Sequence, residues 1–505
     1  MSENLFTLFT ARFPQDRSRI FLERPDGSVL TYADLLDRCG RLANTLLALG
    51  VKPGDRVAAQ VEKTPEALLL YLASLRVGAV YLPLNTAYTA AEVRYFLSDA
   101  EPTVFVCSPH RTGEMRSLAR DLGLPQLETL GADGLGTLTD KAATASPDFT
   151  DVPRAGDDLA AILYTSGTTG RSKGAMLSHR NLASNAKTLR ETWRFTPEDR
   201  LLHALPIFHT HGLFVAINIT LMTGSSLIFL PTFNADEIMR LLPKATVMMG
   251  VPTFYVRLLA HPDFDRTSTR DMRLFVSGSA PLSAETHKEF SARTGHAILE
   301  RYGMTETNMN TSNPYDGERI PGSVGLPLSG VEIRIADPQT GKALPQGEIG
   351  VIDIRGPNVF KGYWRMPEKT KEEFRADGFF ISGDLGYIDQ KDYVYISGRA
   401  KDLVISGGYN VYPAEVEAAI EAVAGVAECA VIGVPHADFG EAVVAIVAPK
   451  PGSQLNEKQI AIANDLAKYK QPKRVFVTTD IPRNAMGKIQ KKDLRETYNA
   501  TFRTT

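Results

Sequence analysis

Residues Leu159 to Gly174 read LAAILYTSGTTGRSKG, an apolar run followed by a loop of hydroxyls and glycines that closes on a lysine. A short apolar run bounded by Gly and Ser clusters is the pattern of a buried strand. In the loop, Gly167, Gly170 and Gly174 let the backbone turn tightly and approach phosphate oxygens. Thr165, Ser166, Thr168 and Thr169 add hydroxyl donors, and Lys173 adds a charge. The stretch is built like a phosphate clamp. It is not a Walker loop, because GxxxxGK followed by Ser or Thr is absent. The nearest match, TGKA at Thr340 to Ala343, lacks both the hydroxyl and the strand-to-helix setting.

Working outward, short apolar runs alternate with amphipathic segments over residues 159–301. The runs are LLHALPIF, SLIFL, VMMGVP, RLFVSGS and AILER, with helices expected from about Asn181, near Phe214, near Asp236, from about Thr253 and from Ala284. This is βαβ grammar, which predicts a mostly parallel sheet covered on both faces, with ligands beyond the carboxyl ends of its strands. The first 150 residues repeat it with RVAAQVE, helical ALLLYLASLRVG and AVYLPL, so a second α/β layer is expected. From about Gly322 to Gly398, Gly-punctuated strands such as GEIGVIDIRG and DYVYISG indicate a small antiparallel sheet or β-barrel. A third texture follows Arg399: a helix opening at Pro413 and Ala414, strands AECAVIGV and AVVAIVAP, a helix near Lys458 to Lys468, and strand RVFVTT. The expected α/β architecture is therefore an N-terminal body over residues 1–400, with α/β layers to about 320 and a β-rich part over about 321–398. A smaller α+β C-terminal domain occupies 401–505.

Composition narrows the function. The 505 residues carry 56 Lys+Arg against 58 Asp+Glu, a net charge of −2, so no global field favours nucleic acid or an anionic membrane. The ten basic residues against three acidic ones between Lys468 and Thr505 fit either a solvated surface or one facing polyphosphate. Three cysteines, Cys39, Cys107 and Cys429, are odd in number and far apart. They suggest neither a disulfide framework nor a zinc site, and point to the cytoplasm. The start, MSENLFTLFTARFPQDR, has no signal-peptide pattern. The longest apolar stretch, Leu213 to Leu230, is interrupted by Asn218, Thr220, Thr223 and Gly224, which argues against a spanning helix.

After the glycine loop come, in order, HTHGL (His209 to Leu213), YGMTE (Tyr302 to Glu306), SGD (Ser382 to Asp384), GRAKDLVISGG (Gly398 to Gly408) and PRNAMGKIQ (Pro482 to Gln490). Together these resemble the acyl-adenylate-forming superfamily, which includes acyl-CoA synthetases, luciferases and peptide-synthetase adenylation domains. The resemblance spans nearly the whole chain and implies ATP, Mg²⁺ and coenzyme A as co-substrates and cofactor. It implies that the loop holds the β- and γ-phosphates, that Thr305 touches phosphate and that Glu306 binds Mg²⁺. It adds Ser279, Ala280, Pro281, Glu300, Arg301 and Tyr302 to the ATP site. Asp384, with two acceptor oxygens suited to a vicinal diol, is implied to hold the ribose hydroxyls with Arg399 assisting. Lys488 is implied to neutralise carboxylate and α-phosphate during adenylation. Lys401 is implied to be the hinge of a rotating C-terminal domain, and Gly407, Gly408 and Tyr409 to line the coenzyme A channel. Acetylation of Lys488 by a lysine acetyltransferase, reversed by a deacetylase, would remove its charge.

The acceptor and the acid are less constrained. Only 17 residues follow Lys488, too few for a carrier domain, so free coenzyme A is expected. Loading of a separate carrier protein is the alternative. For the acid, Arg301 directly precedes YGMTE at a strand end entering the site. A buried arginine there needs an anionic partner. Glu300 is one candidate, yet neighbouring residues of a strand point to opposite faces. A second substrate carboxylate is the other. The form ERYGMTE resembles the malonyl-CoA synthetases of the superfamily, which implies malonate or methylmalonate held by Arg301 with Ser277 or Ser279 and His209. Another short diacid such as oxalate, and a monoacid, stay open. His209 and His211 form no metal pair by pattern, since no third ligand accompanies them.

Overall fold

The computed structural model describes residues 2–165, 172–436, 438–457, 460, 466–484 and 487–502. A nine-stranded sheet has a parallel centre, in the order Leu299–Met304, Leu274–Ser277, Val247–Gly250, Arg200–His203, Ser226–Phe229 and Ile20–Glu23. Antiparallel strands close its edges, Asn308–Ser312 with Leu326–Pro327 on one side and Val29–Thr31 on the other. A six-stranded sheet runs Gln126–Thr129, Val104–Cys107, Arg56–Gln60, Val80–Pro83, Leu159–Thr165 and Lys173–Ser178. These are the two expected α/β layers, with one reassignment. The strand Leu159–Thr165 belongs to the layer of the first 150 residues, pairing through Tyr81 and Ala161, rather than opening the other sheet. The loop that follows breaks the expected alternation as well. Seven residues separate Thr165 from Lys173, fewer than the roughly dozen a parallel crossover needs, so the chain returns as an antiparallel hairpin with Thr165 opposite Lys173.

The helix Pro65–Arg76 shows how the layers are held. Thr64 caps it by accepting from the Ala67 N–H at 3.1 Å, and Pro65 sits where its missing N–H costs nothing. Every residue but Glu66 is buried, as its uniformly apolar sequence requires of an enclosed helix. Its one charge at depth, Arg76, meets Asp151 at 2.7 Å.

The β-rich part is a four-stranded antiparallel sheet of Glu332–Ala336, Gly350–Arg355, Phe380–Ile388 and Val394–Arg399. Its register sets Asp384 opposite Arg399. In the C-terminal part, Tyr409–Val411, Val404–Ser406, Gly440–Pro449 and Val426–His436 form a sheet that Arg474–Val477 joins in parallel, with the helix Pro413–Glu421 on one face. The helix expected near Lys458 to Lys468 lies largely outside the described residues. No described helix is long and apolar enough to cross a membrane.

Candidate active site

The site forms where the carboxyl ends of the nine-stranded sheet, the Thr165/Lys173 hairpin mouth, the Asp384/Arg399 strand pair and the segment around Lys488 come together. Ser166, Gly167, Thr168, Thr169 and Gly170 lie outside the described residues. At the hairpin mouth, Lys173 donates to Glu373 Oε1 at 2.8 Å and sits 4.1 Å from the centre of the Tyr363 ring. The Tyr363 hydroxyl is 2.7 Å from Glu373 Oε2 and 3.1 Å from Glu306 Oε1, and the Thr165 hydroxyl reaches the same Glu306 oxygen at 3.4 Å. Glu306 is buried, and desolvation raises its carboxyl pKa. Among the described residues no cationic group makes an ion pair with it. A buried hard carboxylate with hydroxyl neighbours and no paired cation fits a Mg²⁺ ligand. Mg²⁺ is held by one or two carboxylates and completes its shell with phosphate and water. Thr305 is half-buried in the turn beside Glu306. Tyr363 and Glu373 were not legible in the sequence, since no motif marks GYW or EEF.

Next to this network stands the group suited to a diol. Asp384 accepts from the Tyr302 hydroxyl at 2.5 Å through one oxygen and from Arg399 Nε at 2.8 Å through the other, leaving each oxygen further lone-pair capacity. Burial, then Asp384, raises the Tyr302 pKa, and the Asp384 charge raises that of Arg399. Lys488 approaches from the C-terminal segment, and Gly487 is close enough to Thr253 that a Cβ would meet its hydroxyl at 3.0 Å. The Lys488 side chain keeps access to water through the cleft, yet the protein around it, and then Arg399, depress its pKa to about 8.

The third region surrounds Arg301. Its guanidinium lies on the backbone of Gly278: a Cβ there would fall 2.4 Å from Cζ and 2.6 Å from Nε and Nη1. Arg301 is 3% exposed, and its Nε and Nη2 have no hydrogen-bond partner among the described residues. Desolvation lowers its pKa to about 9. Glu300 does not pair with it. The strand alternates, so Glu300 turns the other way and accepts from the Leu282 N–H at 3.2 Å, with burial raising its pKa to about 8. Ser277 Oγ and His211 Nε2 are likewise buried without a partner among the described residues. His209 is held neutral by desolvation, then by Arg301 and Lys488, which lower its pKa to about 4. Ser279 hydrogen-bonds His211 Nδ1 at 3.2 Å, while Ala280 and Pro281 carry the turn outward to the surface. His211, which the sequence pattern excludes only from a metal pair with His209, is thereby tied to the turn that carries Ser279.

Residues 7–364 match the family model of AMP-binding enzymes, and residues 415–488 match the AMP-binding enzyme C-terminal domain. The chain belongs to the AMP-binding enzyme family. It is 60% identical to ATP-bound MatB from Rhodopseudomonas palustris, with a TM-score of 0.97 over 100% of both chains. The apo structure of MatB superposes less closely, at 0.87. A mitochondrial malonate–CoA ligase of Mus musculus is 36% identical over 92% of this chain and 86% of its own length. A feruloyl-CoA synthase of Amycolatopsis sp is 37% identical over 94% of this chain and 95% of its own.

In this AMP-binding enzyme the C-terminal segment presents Lys488 to the site and turns its glycine pair outward. Gly407 and Gly408, at φ of 59° and 82°, form the turn of a hairpin in which Ser406 pairs with Tyr409. Tyr409 is 60% exposed and rests on the Tyr469 ring, centroids 4.8 Å apart. Lys401 is exposed at the junction of the two parts, and Asp402 beside it is paired with Arg495 from the helix Lys491–Tyr498.

Proposed function

We propose that this protein is an ATP-dependent ligase that activates malonate, and by the same contacts methylmalonate, and transfers the acyl group to coenzyme A. The products are malonyl-CoA, AMP and pyrophosphate. Relatives of 36–37% identity carry names for unrelated acids, so the acid is argued from the pocket. The observation that carries it is Arg301, a guanidinium that among the described residues is buried without a paired anion and with two donors unused. Leaving that charge unpaired costs several kcal/mol, on the order of 3–5. A second carboxylate on the substrate removes the cost, and Ser277 Oγ offers it a further donor.

In the first half-reaction the near carboxylate oxygen attacks the α-phosphorus, and pyrophosphate leaves. Negative charge gathers at the α-phosphate, where the Lys488 ammonium stands ready to neutralise it. Asp384 and Arg399 fix the ribose. Thr305, Thr165 and Lys173 face the phosphates, with Glu373 holding Lys173 until ATP arrives. Glu306 would hold Mg²⁺, which when bound would supply charge neutralisation for the pyrophosphate. In the second half-reaction the coenzyme A sulfur attacks the acyl carbonyl, and AMP leaves. Rotation of the C-terminal domain about Lys401 withdraws Lys488 and brings Gly407, Gly408 and Tyr409 to the channel, which is how one site serves two chemistries. Three free thiols are consistent with work in the cytoplasm. Acetylation of Lys488 by a lysine acetyltransferase would silence adenylation, and full exchange activity of the acetylated enzyme would dismiss that regulation.

The test is AMP release with ATP, Mg²⁺ and coenzyme A across malonate, methylmalonate, succinate, oxalate, propionate and octanoate, with mass detection of the thioester. Turnover confined to malonate and methylmalonate is expected. Equal turnover of propionate would return Arg301 to a structural role.

A further inference from the structure

Ser279 stands out because its backbone and its hydroxyl both do something unusual. Its φ is 72°, in the left-handed region that residues other than glycine avoid, and such positions persist where the surroundings give something in return. What the side chain does there is hydrogen-bond His211 Nδ1 at 3.2 Å, its one such bond among the described residues. His211 is itself fixed. It opens a π-helical turn, His211–Ile217, and the carbonyl of Gly212 next to it accepts from His203 Nε2 at 2.8 Å. Burial, and then the Arg301 charge, keep the His211 ring neutral. A neutral imidazole has one N–H and one lone pair, and the partner of one nitrogen decides the state of the other. The other, Nε2, is buried and without a partner among the described residues, as are Arg301 Nε and Nη2 and Ser277 Oγ. Ser277, Gly278 and Ser279 are consecutive, so one turn carries a free hydroxyl, the seat of the guanidinium and the hydroxyl that reaches His211.

We infer that Ser279 is a positioning residue for substrate selection: its hydroxyl donates to His211 Nδ1 and keeps the proton on Nε2, where His211 donates to the distal carboxylate that Arg301 binds. The inference rests on the diacid reading above and extends it to a second donor. With the opposite tautomer, the Nε2 lone pair would face the lone pairs of the carboxylate and repel it. With the carboxylate accepting at Nε2 and the hydroxyl donating at Nδ1, the ring serves as a donor without adding a charge, which matters beside a guanidinium that would repel an imidazolium.

The experiment compares malonate with propionate, which has a methyl in place of the distal carboxylate, in the full-length enzyme and in Ser279→Ala and Ser279→Gly. Both variants are expected to lower the malonate-to-propionate ratio of kcat/KM by about tenfold, with the change in the malonate KM rather than in kcat. Glycine is at ease at this φ, so Ser279→Gly should also unfold at or above the wild-type temperature, which separates selection from folding. A wild type selective for malonate whose Ser279→Gly variant keeps that selectivity overturns this inference alone. A variant whose loss falls equally on malonate and propionate overturns it as well. A wild type that uses propionate as readily as malonate overturns the diacid reading and this inference with it.

Discussion

Gly278→Ala tests the acid pocket through a single methyl group. An ideal Cβ at this position lies 2.4 Å from Arg301 Cζ, so the guanidinium must retreat by about 1 Å to reach an ordinary carbon separation of about 3.5 Å. The atoms in the way are the far end of a flexible side chain, and Gly278 does not occupy the left-handed region. The fold should therefore accommodate alanine with a melting temperature within a few degrees of wild type. Recognition should not. A misplacement of about 1 Å costs on the order of 100-fold, equivalent to about 2.7 kcal/mol. That falls within the roughly 2–5 kcal/mol expected when Arg301→Ala removes one partner of a buried charged pair. The assay is AMP release at saturating ATP and coenzyme A, with malonate and propionate varied in turn. Malonate kcat/KM should fall by about two orders of magnitude while propionate is spared. If Gly278 acts only by seating the guanidinium, the double variant with Arg301→Ala should be no worse than Arg301→Ala alone. Unaltered malonate use by Gly278→Ala, or additive losses in the double variant, would refute the reasoning.

The remaining predictions concern charge. Lys488→Ala should abolish ATP–pyrophosphate exchange yet still convert supplied malonyl-adenylate and coenzyme A to thioester; loss of both halves would contradict the division of labour. Surrounding protein and Arg399 depress the Lys488 pKa to about 8, and adenylation needs the cation. The kcat/KM for the exchange should therefore fall as pH rises through about 8, and Lys488→Arg should move that limb upward. Glu306→Gln should lose exchange activity that added Mg²⁺ does not restore, whereas recovery at high Mg²⁺ would assign the ion elsewhere. Burial keeps Glu300 protonated up to about pH 8, against about 4.3 in an unfolded chain. The folded protein thus binds the extra proton in that window, and its stability falls as pH rises across it. Glu300→Gln removes this slope, so thermal melts should show the variant gaining on wild type at pH 8 but not at pH 4.5.

What the sequence makes legible is chemistry that is local. The glycine loop reads as a phosphate clamp from its own residues, whereas the metal and ribose roles of YGMTE and SGD are implied only by the resemblance that the motifs carry together. Alternation along a strand likewise turns Glu300 and Arg301 to opposite faces. Groups that meet across long separations are not legible in this way. Tyr363 and Glu373 reach Lys173 from about two hundred residues downstream, and nothing in GYW or EEF declares that destination. The placement of Leu159–Thr165 beside Val80–Pro83 is of the same kind, because the short loop after it predicts an antiparallel hairpin but not which sheet that hairpin joins. Gly278 is the sharpest case. Its reading depends on the pairing of Ser277 with Glu300, which carries the next residue of each chain segment, Gly278 and Arg301, side by side. A one-residue slip would set a side chain where the guanidinium now lies and turn Arg301 to the opposite face. The acid this enzyme selects is therefore a property of strand register as much as of the arginine.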